Sequence, residues 1–221
     1  MKTYSQYCAV ARSLDLVGDR WVLLIVRELL SQGPCRFTDL RDGLPGIATN
    51  LLTTRLKDME ENGLITRVDA PPPVATGLYQ LTERGRQLQP VIAALVEWGL
   101  PMMPVVAEGE AVRGTWLGLL GQLRLRDTEP AQGPLTIAID TDEAPVHLVS
   151  RDRGFEIRRG RPAAADVRLS GQARLIGGYL GGLLSLEEAR RLGLDATGDE
   201  AALNRLDITP PRETKQRETK Q

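Results

Sequence analysis

Thr49-Asn50-Leu51-Leu52-Thr53-Thr54-Arg55-Leu56-Lys57-Asp58-Met59-Glu60-Glu61-Asn62-Gly63 writes two different faces onto one helix. At about 100° per residue, Leu52, Leu56 and Met59 fall together, while Asn50, Thr53, Thr54 and Lys57 cluster on the other side. One face packs and the other meets a partner. Gly63 stops the helix, and the β-prone run Leu64-Ile65-Thr66-Arg67-Val68 follows at once. A second strand is predicted over 78–81, after a turn rich in proline. Strand, loop and strand behind an amphipathic helix make a hairpin wing.

Working back from this stretch, Val10, Leu14 and Val17 recur at helical spacing before Gly18. Asp19 is a suitable N-cap for a second helix reaching residue 30, with Trp21, Leu24, Ile25 and Leu29 on one apolar face. Gly33-Pro34 ends it. A short third helix is predicted over 38–42, and Leu44-Pro45-Gly46 turns the chain into the helix of 49–62. Working forward, 85–98 reads as one long helix whose Leu88, Val91, Ile92, Leu95 and Trp98 form a stripe wide enough to pair with a second subunit.

Helix, turn and amphipathic helix followed by a wing is an arrangement that reads DNA. The major groove, about 12 Å wide, admits one helix. Asn matches adenine N6 and N7, and Thr methyls suit thymine methyls. The candidate contacts are Arg36, Thr49, Asn50, Thr53, Thr54, Arg55, Lys57 and Arg67. Arg55 lies between the two faces and either reaches a phosphate or packs its stem. The wing tip, 69–77, has no basic residue, leaving Arg67 at its base, so few phosphates are neutralised there and a shallow salt dependence is expected.

Composition sets the outer limits. The chain has 221 residues, 42% of them hydrophobic and 26% charged, values of a globular protein. No apolar run reaches the roughly 18 residues of a membrane span, and the start has no signal-peptide core, so a cytosolic protein with no membrane partner is expected. Two cysteines and one histidine, His147, offer no metal-ligand spacing. No catalytic constellation and no cofactor fingerprint is found. The net charge of −1 decides nothing about DNA, because clustering on one face is what counts.

The blocks Cys8-Ala9-Val10-Ala11-Arg12-Ser13-Leu14-Asp15-Leu16-Val17-Gly18-Asp19-Arg20-Trp21, Arg36-Phe37-Thr38-Asp39-Leu40 and Leu44-Pro45-Gly46-Ile47-Ala48-Thr49-Asn50, with the helix already quoted, occur in one order. Tyr79-Gln80-Leu81-Thr82-Glu83-Arg84-Gly85 and Val96-Glu97-Trp98-Gly99 complete them. In this order they resemble the HxlR family of winged helix-turn-helix regulators, from residue 8 to about 99. The resemblance implies a homodimer on double-stranded operator DNA. It also gives Cys8 two readings, a thiol switch or a packed and inert cysteine; Arg12, one turn away, is the one nearby cation in the sequence.

Pro101, Pro104 and Gly109 mark a connection. A first domain of 1–104 and a second of 110–208 are expected, with 209–221 as a disordered tail in which Arg-Glu-Thr-Lys-Gln is written twice. The second domain reads as a helix over 111–126, strands at 135–139, 146–150, 155–158 and 167–170, an apolar helix over 175–184, and a helix opened by Ser185. This is a small α+β domain. Its runs Pro134-Leu135-Thr136-Ile137-Ala138-Ile139-Asp140, Ala165-Asp166-Val167-Arg168-Leu169-Ser170-Gly171 and Gly198-Asp199-Glu200-Ala201-Ala202-Leu203 resemble the sterol carrier protein type 2-like fold. The resemblance implies a cavity for a small apolar ligand, with Trp116, Leu120, Ile176, Tyr179, Leu180 and Leu183 as candidates, although the same residues suit a plain core. Gly177, Gly178, Gly181 and Gly182 each cost a helix roughly 1 kcal/mol against alanine, so close packing or ligand access must offset them.

The sequence therefore specifies an α+β protein: a winged helix-turn-helix domain, then a sterol-carrier-like domain. The function expected is a dimeric transcription regulator that senses an apolar ligand. A competing reading keeps the winged domain for protein contacts in a lipid-binding or scaffolding protein, and draws on the neutral charge and the acidic, proline-rich wing.

Overall fold

Residues 3–69, 77–103 and 110–208 are described by the computed structural model. Residues 70–76 of the wing, the connection from Pro104 to Gly109, and the repeated tail lie outside these residues. The described residues divide into two compact units between Ile92 and Ala93.

In the first unit, α1 (Ala9–Val17), α2 (Val22–Gln32), α3 (Phe37–Asp42) and α4 (Thr49–Glu61) precede a hairpin of β1 (Ile65–Asp69) and β2 (Gly77–Leu81). The strands pair antiparallel from Ile65 opposite Leu81 to Asp69 opposite Gly77. Cys35 adds a single bridge to β2, its N–H and C=O both bonded to Tyr79, so the hairpin gains a third, one-residue strand. The core is built from the expected apolar faces: Ile25, Val26, Leu29, Leu40, Leu52, Leu56, Met59 and Ile65 are all buried. Asp19 does not cap α2. Its carboxylate accepts the Trp21 N–H at 3.3 Å, inside a turn that delays the helix to Val22.

The helix expected over 85–98 is two helices, α5 (Glu83–Arg86) and α6 (Gln89–Gly99). Thr82 starts the first, its hydroxyl accepting the Gly85 N–H at 3.1 Å, and Pro90 sits in the first turn of the second, where its missing N–H is harmless. The division between the units falls inside α6, earlier than the expected connection.

The second unit continues with α7 (Gly114–Arg124), β3 (Leu125–Asp127), β4 (Thr136–Asp140), β5 (Val146–Arg151), β6 (Gly154–Arg159) and β7 (Val167–Ser170). Then come α8 (Ala173–Leu180), α9 (Leu186–Arg191), β8 (Asp195–Gly198), α10 (Glu200–Asn204) and β9 (Leu206–Ile208). Five strands form one sheet in the order β6-β5-β4-β7-β8, and β3 pairs with β9 in a separate ribbon. Within the sheet β4 and β7 run parallel and the other pairs antiparallel. Ile137, Ile139, Leu148, Val167 and Leu169 point to a shared core with Leu117, Ile176 and Leu180 from α7 and α8. Mixed α+β architecture is thus observed, with the winged helix-turn-helix in the amino-terminal part.

Close packing accounts for several helix glycines. A Cβ on Gly118 would sit 2.2 Å from the Ile157 Cδ1, one on Gly121 2.5 Å from Leu148, and one on Gly177 3.2 Å from Leu117. Ser185 opens α9 as the sequence indicates, in a reciprocal capping pair with Glu188.

Candidate nucleic-acid interface

The polar face of α4 is set by what its apolar face buries. Leu52, Leu56 and Met59 are almost wholly enclosed, and this rotation leaves Thr49, Asn50, Thr53, Thr54 and Lys57 exposed. These five therefore share one open surface. Among the described residues Lys57 pairs with Glu61, at 3.8 Å, with both side chains largely in solvent.

Asn50, Thr53 and Thr54 each carry a local bond that the sequence does not show. Thr53 donates its hydroxyl to the Thr49 carbonyl and Thr54 to the Asn50 carbonyl, both at 3.0 Å. The Asn50 Oδ1 accepts the Leu51 N–H at 2.8 Å. That oxygen keeps a second lone pair, so a two-pronged contact from Asn50 to adenine would share it with the Leu51 N–H. Back-bonding of Ser and Thr in helices is common enough to have been anticipated at both threonines.

Arg36 is exposed just before α3, its N–H bonded to the Asp39 carboxylate at 3.0 Å. Arg67 is exposed on β1 and lies over the Tyr79 ring, 5.7 Å from its centroid, which fixes the guanidinium at the base of the wing. Arg55 stands apart. Its Nη2 meets Asp19 at 2.6 Å and its Nη1 meets Asp58 at 2.9 Å.

The loop that delivers α4 is held by a latch with no sequence motif. Glu28 is fully buried on α2, receiving hydrogen bonds from Arg27 and, at 2.7 Å, from Gln32. Arg27 also donates to the Gly43 carbonyl at 3.1 Å, tying α2 to the turn after α3.

Cys8 is exposed at the cap position of α1 and Cys35 is buried, and neither is in a disulfide. Val10 and Leu14 on α1 are exposed, and so are Val91, Leu95 and Trp98 on α6. Of the expected ligand-binding side chains, Ile176, Tyr179 and Leu180 belong to the core of the second unit and Leu120 packs partly against it. Trp116 and Leu183 are half-buried. Among the described residues, no helix is long and apolar enough to cross a membrane.

Residues 16–106 match the model of the HxlR-like helix-turn-helix family. An HTH-type transcriptional regulator of Synechocystis, sll1512, is 40% identical over 95 residues, covering 42% of this chain and 67% of that protein. YdeP of Bacillus subtilis is 35% identical over 109 residues, covering 48% and 82%. The chain belongs to the HxlR-like helix-turn-helix family. It is a transcriptional regulator of the helix-turn-helix kind. The reduced form of the regulator YodB from B. subtilis is 31% identical over 46% of this chain and all of that chain, with a TM-score of 0.39. The match to the HxlR model ends at residue 106, before α7, so it does not extend to the elements from α7 onward.

Proposed function

We propose that this protein is a homodimeric regulator that reads a two-fold operator with α4. One observation carries the reading: Asn50, Thr53, Thr54 and Lys57 are exposed together opposite a fully buried stripe, immediately before a hairpin whose base presents Arg67. Thr49 and Arg36 flank that face and supply further polar contacts. The apolar side chains left open on α1 and α6 support a dimer, because among the described residues Val91, Leu95 and Trp98 stay 42%, 44% and 72% exposed. Two reading helices then lie about 34 Å apart, in successive major grooves.

For the second unit we propose a small apolar ligand. Trp116, Leu120 and Leu183 keep exposed apolar area beside the core that Ile176, Tyr179 and Leu180 help fill. Cys8, exposed at the start of α1, is the position for a thiol switch.

The test is binding to double-stranded DNA from the region upstream of its own gene at two salt concentrations. Specific, saturable binding that weakens as salt rises supports the reading. Binding indistinguishable from that to random DNA, at both concentrations, overturns it.

A further inference from the structure

We infer that Arg55 is a positioning residue, which sets the angle of α4 against the turn between α1 and α2 and does not itself touch a phosphate. The inference rests on the proposed reading of DNA by α4. Arg55 lies about 150° around the helix from the centre of the Asn50, Thr53, Thr54 and Lys57 face, at about 100° per residue. Its side chain is 23% exposed and both terminal nitrogens already hold carboxylates. Its remaining polar atom, Nε, is buried and has no hydrogen-bond partner among the described residues.

Charge argues the same way. One guanidinium between Asp19 and Asp58 leaves a surplus negative charge. The cleft that Arg55 lines, about 540 Å3, is also bordered by Asp15 and Glu61. A phosphate entering it would meet four carboxylates. Asp19, by contrast, is placed to transmit orientation: one oxygen accepts the Trp21 N–H in the turn that leads into α2, and the other holds Arg55 on α4. A single carboxylate thereby joins the entry of one helix to the flank of another.

The two roles predict opposite signs for Asp19→Asn. Removing a negative charge near DNA strengthens binding if Arg55 is a phosphate contact freed by the change. If Arg55 positions α4, the substitution weakens binding. We expect Asp19→Asn and Arg55→Gln each to lose about tenfold in operator affinity, the double variant to lose no more than either alone, and Arg55→Lys to recover part of the loss. The slope of log affinity against log salt should stay at the wild-type value. A slope smaller by about 1 in Arg55→Gln, as expected for a lost phosphate contact, with unchanged or tighter binding by Asp19→Asn, would overturn the assignment.

Amide hydrogen exchange on the full-length chain gives an answer independent of DNA. In Asp19→Asn the amides of α4 and of the 19–21 turn should exchange faster, while those of the second unit keep their rates. Unchanged exchange in α4 would count against the inference even if the wild type failed to bind DNA. That failure would by itself sink only the proposed function.

Discussion

Asp127 and Arg205, 78 residues apart in the chain, meet in a two-armed ion pair. The Arg205 Nε donates to Oδ1 at 3.1 Å and Nη2 to Oδ2 at 2.7 Å, with both side chains almost wholly buried. Nη2 also donates to the Gly133 carbonyl at 2.7 Å, and the Glu129 N–H donates to Asp127 at 3.0 Å. The pair closes the ribbon of β3 and β9.

Burial alone would raise the Asp127 carboxyl. The Arg205 guanidinium, the Glu129 N–H and the Ser150 hydroxyl outweigh it and hold the group below the usual carboxylate range. A carboxyl whose folded value is depressed stabilises the fold above its unfolded value, about 3.9, and loses that contribution as pH falls through the folded value. Asp127→Asn should therefore cost about 3–5 kcal/mol at neutral pH, the usual loss when one partner of a buried pair is removed. The gap to wild type should narrow as acid protonates Asp127. Urea unfolding at pH 7 and near pH 3 measures both, and a gap that does not change with pH would contradict the account.

On α4, Lys57→Ala should weaken binding to the operator and to unrelated DNA alike, and lower the salt slope by about 1 if the ammonium meets a phosphate. Asn50→Ala should act more selectively, costing about 1–3 kcal/mol at the cognate site if it contacts a base. Both side chains are exposed, so melting temperatures should stay close to wild type. Two variants that bind as the parent does would remove α4 from the interface.

Gly43→Ala tests the latch. The added Cβ would lie 2.2 Å from the Glu28 Oε2, and Glu28 is fully buried and held by Arg27 and Gln32, so the carboxylate must move. Overpacking of this kind costs roughly 1–3 kcal/mol. Chemical denaturation should show the loss, and wild-type stability would mean that the latch is slack.

The open stripe on α6 bears on assembly. Leu95→Glu and Trp98→Glu place charges where the dimer reading puts a partner, at positions 44% and 72% exposed in one chain. Sedimentation at micromolar concentration should show monomers with unchanged far-ultraviolet circular dichroism. A dimer that survives both substitutions has its interface elsewhere.

The amphipathic elements were legible in the sequence. A thirteen-residue helix such as α4 repeats its apolar spacing several times, and the strands of the second unit alternate long enough to register. The short elements were not. Strands β3 and β9 have three residues each, too few for any period, and their antiparallel pairing is clamped by an ion pair between distant positions. The break between α5 and α6 was signalled by Thr82 and Pro90, but the continuous apolar stripe across them masked it. At the candidate site, the identities of the exposed residues could be read from the spacing. The partners of Arg55 could not, because Asp19 reaches it only once α1, α2 and α4 are packed.

The hydroxyl protons of Thr53 and Thr54 are spent on their own helix. What these side chains can offer a groove is a methyl group and the remaining lone pairs on oxygen. A surface of that kind discriminates by oily contact more than by donated hydrogen bonds, and thymine is the base that carries a methyl in the major groove. Operator DNA synthesised with deoxyuridine in place of thymidine keeps every hydrogen-bonding edge and loses only that carbon. Each such replacement under Thr53 or Thr54 should cost up to about 0.8 kcal/mol, the value of one buried CH2, and replacements elsewhere in the site should cost nothing.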